Sequence, residues 1–398
     1  MTARVLVADK LEEGAFRDLA AQGFEIIERT DLTSESLPAA LPGVKVLVVR
    51  STIVTKEAIA AADRLALIVR AGSGTNNIDV AAASARGIYV SNCPGRNSVA
   101  VAELTMGLLL AVDRRLPDNV ADLRRGKWDK GGYSKAKGLK GRRLGLVGFG
   151  AIAQEVARRA QAFELEVQAY ARTLSDELAK HSGVERCASL NELFQSSDIV
   201  SLHVPLSKET RGMIGAELLS RLRRGAVFLN TARAEVVDQV ALLEVAKAGK
   251  IWVGTDVFAA EPEGKSGDFH DELGRLPNVY GSHHIGASTD QAQHEIAKAA
   301  VGHVRAFLER GEVKDAVNIL HAPPVQGTLV VRHLDRVGVL AAVLGALRND
   351  EVNVETMENV IFAGGVAACA RIKVAKRPKP ATVEHLAGLE HVISVELL

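Results

Sequence analysis

Three polar stretches hold residue types that could do chemistry: NTARAEVVD (230–238), DVFAAEP (256–262) and SHHIGAST (282–289). Each follows an apolar run that reads as a strand, and doubly wound sheets bind ligands at such strand ends. Arg233, Glu261 and His284 can therefore meet in one cleft despite their separation in sequence. A guanidinium, a carboxylate and an imidazole together can hold an anion and pass a proton. Singly, each has a plainer reading: a surface salt bridge, a turn residue before Pro262, or a strand-end or metal-paired histidine at 283 or 284. Their order, after a phosphate-cradling turn, favours the site. No HxxxH or Cys/His ligand spacing occurs, so no metal is expected.

That turn is GFGAIA. A strand over Leu144–Val147 runs into Gly148, Gly150, Ala151, Ile152 and Ala153, the pattern GxGxxA opening a helix. Gly148 permits the tight turn, Gly150 lets backbone approach a pyrophosphate, and Ala153 allows close helix packing, with free helix N–H groups facing the phosphates. The motif alone is weak, but its place between strand and helix points to a dinucleotide. About 20 residues on, an acid should read the ribose of NAD; Ala171 stands there, followed by Arg172 and Thr173, which could pair with the 2′-phosphate of NADP. The alternative leaves Arg172 a solvated loop residue and NAD the cofactor.

These residues need an α/β framework. The 398 residues exceed one ordinary domain. From the start, RVLVA, FEIIE, VKVLVVR, LALIVRAG and IYVSN alternate with helical patterns such as LEEGAFRDLAAQ, and a second series runs from RLGLVGFG to NVYGSHH near residue 284. Uninterrupted apolar strands imply parallel sheets covered on both faces. A helix from Ser98 to about Arg115 bridges the two series, and the helical stretch from Asp290 to about Arg310 could serve either. After Pro323 and Pro324 the order becomes βαββαβ, a ferredoxin-like sandwich. The fold class is thus α/β: two doubly wound parallel-sheet domains and a C-terminal ferredoxin-like module.

Composition narrows the partners. A net charge of +1 gives no basic field for nucleic acid or membrane surfaces, and 4% aromatic residues offer few stacking platforms. Three scattered cysteines make no disulfide framework, which fits a reducing cytoplasm. No stretch has the length of a membrane helix, and MTARVLVADK reads as a first strand rather than a signal peptide.

Together with LHVPL, the motifs above resemble the D-isomer-specific 2-hydroxyacid dehydrogenases over essentially the whole chain. RAGSGTNNID (70–79), SNCPGRNS (91–98) and the C-terminal module narrow the resemblance to the branch that oxidises 3-phospho-D-glycerate to 3-phosphohydroxypyruvate, the first step of L-serine biosynthesis. The resemblance implies Arg233 as the substrate-binding guanidinium, Glu261 as the acidic partner and His284 as the proton donor and acceptor. It implies that Asp256 contacts the nicotinamide carboxamide, that Thr231, Ala232 and Gly286 line the cofactor, and that His203, Val204 and Pro205 flank the adenosine, where a structural His203 is the competing view. Arg50 and Ser51 resemble a phosphate-holding pair, and Arg70, Gly72, Ser73, Gly74 and Asn76 form a loop able to cradle a carboxylate, with Arg50 and Arg70 the cations a phosphate needs. His283 stands where the family usually has Pro, and Ala234–Glu235 replace a smaller pair, which bears on substrate preference.

The family architecture implies a discontinuous substrate domain (1–96 and 290–320), a cofactor domain (97–289), hinge closure and a homodimer or homotetramer. Residues 326–398 resemble an ACT domain, with His333, Asp335 and Asn353 as positions for an L-serine effector held between paired copies; the alternative is a module that only pairs. A glyoxylate or hydroxypyruvate reductase and a dinucleotide-responsive, corepressor-like scaffold are the other functional readings.

Overall fold

The computed structural model describes residues 2–262, 266–320 and 323–398. The chain divides into two compact units, Met1–Asn318 and Ile319–Leu398.

The first unit holds two parallel sheets. Strands β1 (Arg4–Val7), β2 (Glu25–Glu28), β3 (Val44–Val49), β4 (Leu67–Arg70) and β5 (Tyr89–Ser91) pair in the order β2-β1-β3-β4-β5. Strands β6 (Arg143–Val147), β7 (Glu166–Tyr170), β8 (Glu185–Arg186), β9 (Ile199–Leu202), β10 (Ala226–Asn230), β11 (Ile251–Thr255) and β12 (Val279–Gly281) pair in the order β12-β11-β10-β9-β6-β7-β8. The central strands carry apolar side chains on both faces because helices cover both; all five residues of β10 are buried. In the second sheet the order reverses between β6 and β9, the crevice in which doubly wound sheets bind dinucleotides.

Two long helices position the site. Ser98–Arg114 leaves β5 and packs Ala102, Met106, Leu109 and Val112 into the core of the second sheet. Asp290–Arg310, capped by the Thr289 hydroxyl, returns to the first sheet, burying Ile296, Ala300 and Val304 against Val5, Val7, Val46 and Val69. The amphipathic stretch 11–22 delivers a helix only over Arg17–Ala21, because Gly14 adopts a left-handed φ of 75°.

The second unit is the expected βαββαβ. Strands β13 (Gly327–Leu334), β14 (Val354–Ile361), β15 (Ala367–Val374) and β16 (Val392–Leu397) form an antiparallel sheet in the order β14-β15-β13-β16. Val343, Leu347 and Leu386 of its two helices bury against Leu329, Val331, Ala370 and Ile372. Among the described residues no helix is long and apolar enough to cross a membrane.

Candidate active site

The dinucleotide turn has the geometry its glycines require. Gly148 sits at φ 91°, and a Cβ there would lie 2.6 Å from the His203 carbonyl oxygen, so both conformation and space exclude a side chain. Gly150 opens the Ala151–Ala162 helix with nothing within 4 Å of its own notional Cβ. Ala151 is exposed, Ile152 half-buried and Ala153 fully buried against the sheet. Backbone donors on an open helix N-terminus fit a pyrophosphate. Arg172 and Thr173 are exposed in the turn after β7. Glu209, on the loop after Val204 and Pro205, is held below the usual carboxyl range first by the Ser207 hydroxyl and also by the charge of Arg172, which places Arg172 on that side of the crevice. His203 donates its amide to Val147 O at 2.8 Å, and its Nε2 pairs with the Ser201 hydroxyl at 2.9 Å. Burial pushes this imidazole down to about 3, so it is neutral at physiological pH.

Arg233, Glu261 and His284 come together because β10, β11 and β12 are adjacent and parallel, with all their carboxyl ends on one edge. The Asn230 amide folds the turn after β10, donating to Arg233 O at 3.0 Å and accepting from Ala232 N at 3.0 Å. Thr231 pairs with Thr105 of the bridging helix at 2.9 Å. Arg233 donates to Ala232 O at 2.7 Å and lies against Gly74, whose notional Cβ would be 2.5 Å from Nη2.

Asp256 organises the next turn. Its buried carboxylate accepts from the Ser282 hydroxyl (2.6 Å) and from the amides of Ile285 (2.9 Å) and Gly286 (2.8 Å). Three of its roughly four acceptor positions are thereby committed inside the protein. The same turn holds His284 at φ 51°, a conformation that non-glycine residues adopt at a cost of about 1–3 kcal/mol. His284 Nδ1 lies 2.8 Å from Glu261 Oε2, while Glu261 Oε1 accepts from Phe258 N at 2.8 Å. Burial pushes the Glu261 carboxyl up, but the bonds from His284 and Phe258 and the charge of Arg233 more than offset this, and it stays ionised. An ionised carboxylate only accepts, so the proton of neutral His284 sits on Nδ1 and Nε2 is left to exchange a proton with a ligand.

The first sheet faces this edge with cations. Arg70 ends β4, and burial together with the charges of Arg233 and Arg50 pushes it down to about 10. Its Nε is buried without a partner. Gly72 has φ 148°, and a Cβ there would fall 1.5 Å from Arg70 Nη1, so glycine makes room for this guanidinium. Arg70 thus lies in the positive fields of both Arg233 and Arg50, a grouping of guanidiniums that suits a polyanionic ligand. Asn76 is exposed beside Gly74. The two serines expected in the anion site spend their hydroxyls internally: Ser73 donates to Asn97 Oδ1 at 2.8 Å and Ser51 to Asp9 Oδ1 at 2.8 Å. Asp9 and Gln293, which accepts from Arg50 Nη1 at 3.2 Å, are contributions that sequence reasoning missed. A signal for Asp9 was present: it directly follows the strand RVLVA, at the edge where ligands bind.

In the second unit the three expected effector positions do not converge within one copy. Buried His333 bonds Leu334 O (2.8 Å) and Asn359 Oδ1 (3.1 Å). Exposed Asp335 follows it, its amide donating to Val366 O at 2.9 Å. Asn353 lies at the other end of the sheet, its carbonyl accepting from Ala375 N, whereas His333 pairs with Ala368. The antiparallel register puts the length of β15 between them, and Asn359 takes the place beside His333.

The family profile "D-isomer specific 2-hydroxyacid dehydrogenase, NAD binding domain" matches residues 106–286. A D-3-phosphoglycerate dehydrogenase of Methanocaldococcus jannaschii is 40% identical over 324 residues, 81% of this chain and 60% of that protein. The chain thus spans about 60% of the length of this relative. A hydroxypyruvate reductase of Thermotoga maritima is 41% identical over 297 residues, 74% of this chain and 94% of that protein. The NAD+-bound crystal structure of an Entamoeba histolytica 3-phosphoglycerate dehydrogenase superposes with a TM-score of 0.67 at 27% identity, covering 80% of this chain and all of that one.

Proposed function

The chain belongs to the D-isomer specific 2-hydroxyacid dehydrogenases, and on that premise we propose that it oxidises 3-phospho-D-glycerate to 3-phosphohydroxypyruvate, the opening reaction of L-serine synthesis. The observation that carries this choice of substrate is the grouping of Arg233 and Arg50 around Arg70, with Arg233 also acting on Glu261 of the His284–Glu261 pair. A carboxylate and a phosphate dianion need more cationic donors than a plain 2-hydroxy acid. Arg233 binds the substrate carboxylate and polarises the C2 oxygen, and Arg70 and Arg50 take the phosphate. A nicotinamide dinucleotide, fitted by the open turn at Gly148 and Gly150, supplies the hydride acceptor. His284 Nε2 receives the C2 hydroxyl proton, a step worth about 100- to 10,000-fold in enzymes. Glu261 holds the ring and balances the imidazolium charge that results.

Each sheet edge contributes part of this site, so a cleft closing between a substrate domain (1–96 and 290–320) and a cofactor domain (97–289) would exclude water during transfer. The β14-β15-β13-β16 order supports reading residues 326–398 as an ACT module. With Asn353 remote from His333 in one copy, a serine site there requires a second copy. One observation favours a second reading: exposed Arg172 follows Ala171 at the ribose position, which suits NADP and a hydroxypyruvate or glyoxylate reductase.

Steady-state kinetics with 3-phosphoglycerate, phosphohydroxypyruvate, hydroxypyruvate and glyoxylate against NAD(H) and NADP(H) tests the proposal. A kcat/KM for phosphohydroxypyruvate at least about tenfold above that for hydroxypyruvate is the expected result. Equal values, or a preference for hydroxypyruvate with NADPH, would establish the reductase.

A further inference from the structure

The turn after β3, which carries Arg50, is built around a carboxylate from another strand. Asp9 follows β1, the neighbour of β3, and its Oδ2 accepts the successive amides of Arg50 (2.7 Å), Ser51 (3.0 Å) and Thr52 (3.0 Å). Its Oδ1 accepts the Ser51 hydroxyl, and the Thr52 hydroxyl bonds back to Ala8 O at 3.3 Å. Successive amides converging on one point make a concavity that commonly binds a ligand anion; here the anion is internal. Asp9 is buried, which pushes its carboxyl up, yet the bonds from Thr52, Arg50 and Ser51 outweigh burial and keep it ionised. The far end of Arg50 is also held, by Gln293 on the first turn of the Asp290–Arg310 helix. Asp9, Arg50, Ser51 and Gln293 line one cavity of about 470 Å³.

We infer that Asp9 and Gln293 are positioning residues for Arg50, Asp9 fixing its backbone and Gln293 its guanidinium, so that Arg50 meets the distal anionic group of the substrate. This rests on the phosphate reading proposed above. A consequence is that the 50–52 amides and the Ser51 hydroxyl are already spent, and the distal group is recognised through the guanidinium. Charge alone predicts the opposite sign: Asp9 is close enough to act on Arg70, so removing its charge would draw an anionic substrate in more tightly.

Asp9→Asn and Gln293→Leu in the full chain, each alone and combined with Arg50→Ala, separate these accounts. With NADH, each single variant should raise KM for phosphohydroxypyruvate by about tenfold, the scale of a lost hydrogen bond to a charged group, and leave kcat within about threefold. KM for glyoxylate, which has no distal group, should not change, and neither variant should add to the loss caused by Arg50→Ala. An unchanged or lowered KM for phosphohydroxypyruvate, an equal rise for glyoxylate, or additivity with Arg50→Ala would overturn the assignment. Gln293→Leu removes only a half-buried side-chain contact, so it decides the matter even if Asp9→Asn does not fold. If the wild type accepts hydroxypyruvate but rejects phosphohydroxypyruvate, the phosphate reading fails. In that case there is no anionic distal group for Arg50 to meet and the positioning assignment falls with it, whereas a wild type that accepts phosphohydroxypyruvate leaves the variants to decide the positioning role alone.

Discussion

Glu261→Gln removes a charge from the His284 pair and keeps the side chain's shape, with one acceptor oxygen where the carboxylate uses two, for His284 and for the Phe258 amide. The Nδ1–Oε2 distance is 2.8 Å, and at an effective dielectric constant of about 20 two full charges that close attract by roughly 6 kcal/mol. The side chains of His284 and Glu261 are 44% and 34% exposed, so water screens much of this. What remains is the advantage of a charged over a neutral acceptor, about 1.5–3 kcal/mol. That advantage is realised only when His284 carries the proton taken from the substrate, so it stabilises the transition state more than the Michaelis complex. The expected outcome is a loss of about 10- to 100-fold in kcat with KM changed less than about threefold. Nicotinamide absorbance followed at saturating cofactor in both directions measures it, and circular dichroism checks the fold. A loss below about threefold, or one confined to KM, would show that Glu261 does not support proton transfer and would refute the reasoning.

Gly72→Ala sets a methyl group on the Arg70 guanidinium at a φ of 148°; KM for the substrate should rise by about tenfold or more, with NADH affinity by fluorescence titration unchanged. Arg172→Ala should weaken NADP(H) more than NAD(H) if its guanidinium reads a 2′-phosphate, and equal effects in paired titrations would exclude that role. The Asp350 carboxyl is held down to about 2, chiefly by the Lys379 amide and ammonium. A carboxyl depressed on folding contributes stability that is complete above its unfolded value near 4 and lost as pH falls toward 2. Thermal melts of Asp350→Asn and wild type should therefore differ at pH 6 and converge toward pH 2.

Much of the fold and part of the site could be read along the chain, because the governing physics is local there. Apolar runs such as VKVLVV and AVFLN fit strands largely buried on both faces, GxGxxA between a strand and a helix fits a turn with no room for a Cβ at Gly148, and βαββαβ follows from the order of the periods. Parallel order then brings Arg233, Glu261 and His284 to one edge without further information. Hydrogen-bond partnership was not legible in the same way. Asp256 and Asp9 are carboxylates that tie down the 282–286 and 50–52 turns, and His333 bonds Asn359, a partner no motif announces. Periodicity also leaves open whether the helix after Thr289 belongs to the first or the second sheet, and only the family resemblance points to the first, against which it packs. The reason is that a polar group's partner is set by where strands and helices from distant parts of the chain come to rest. Packing and register fix that placement to within an ångström, whereas periodicity fixes only which face a residue occupies.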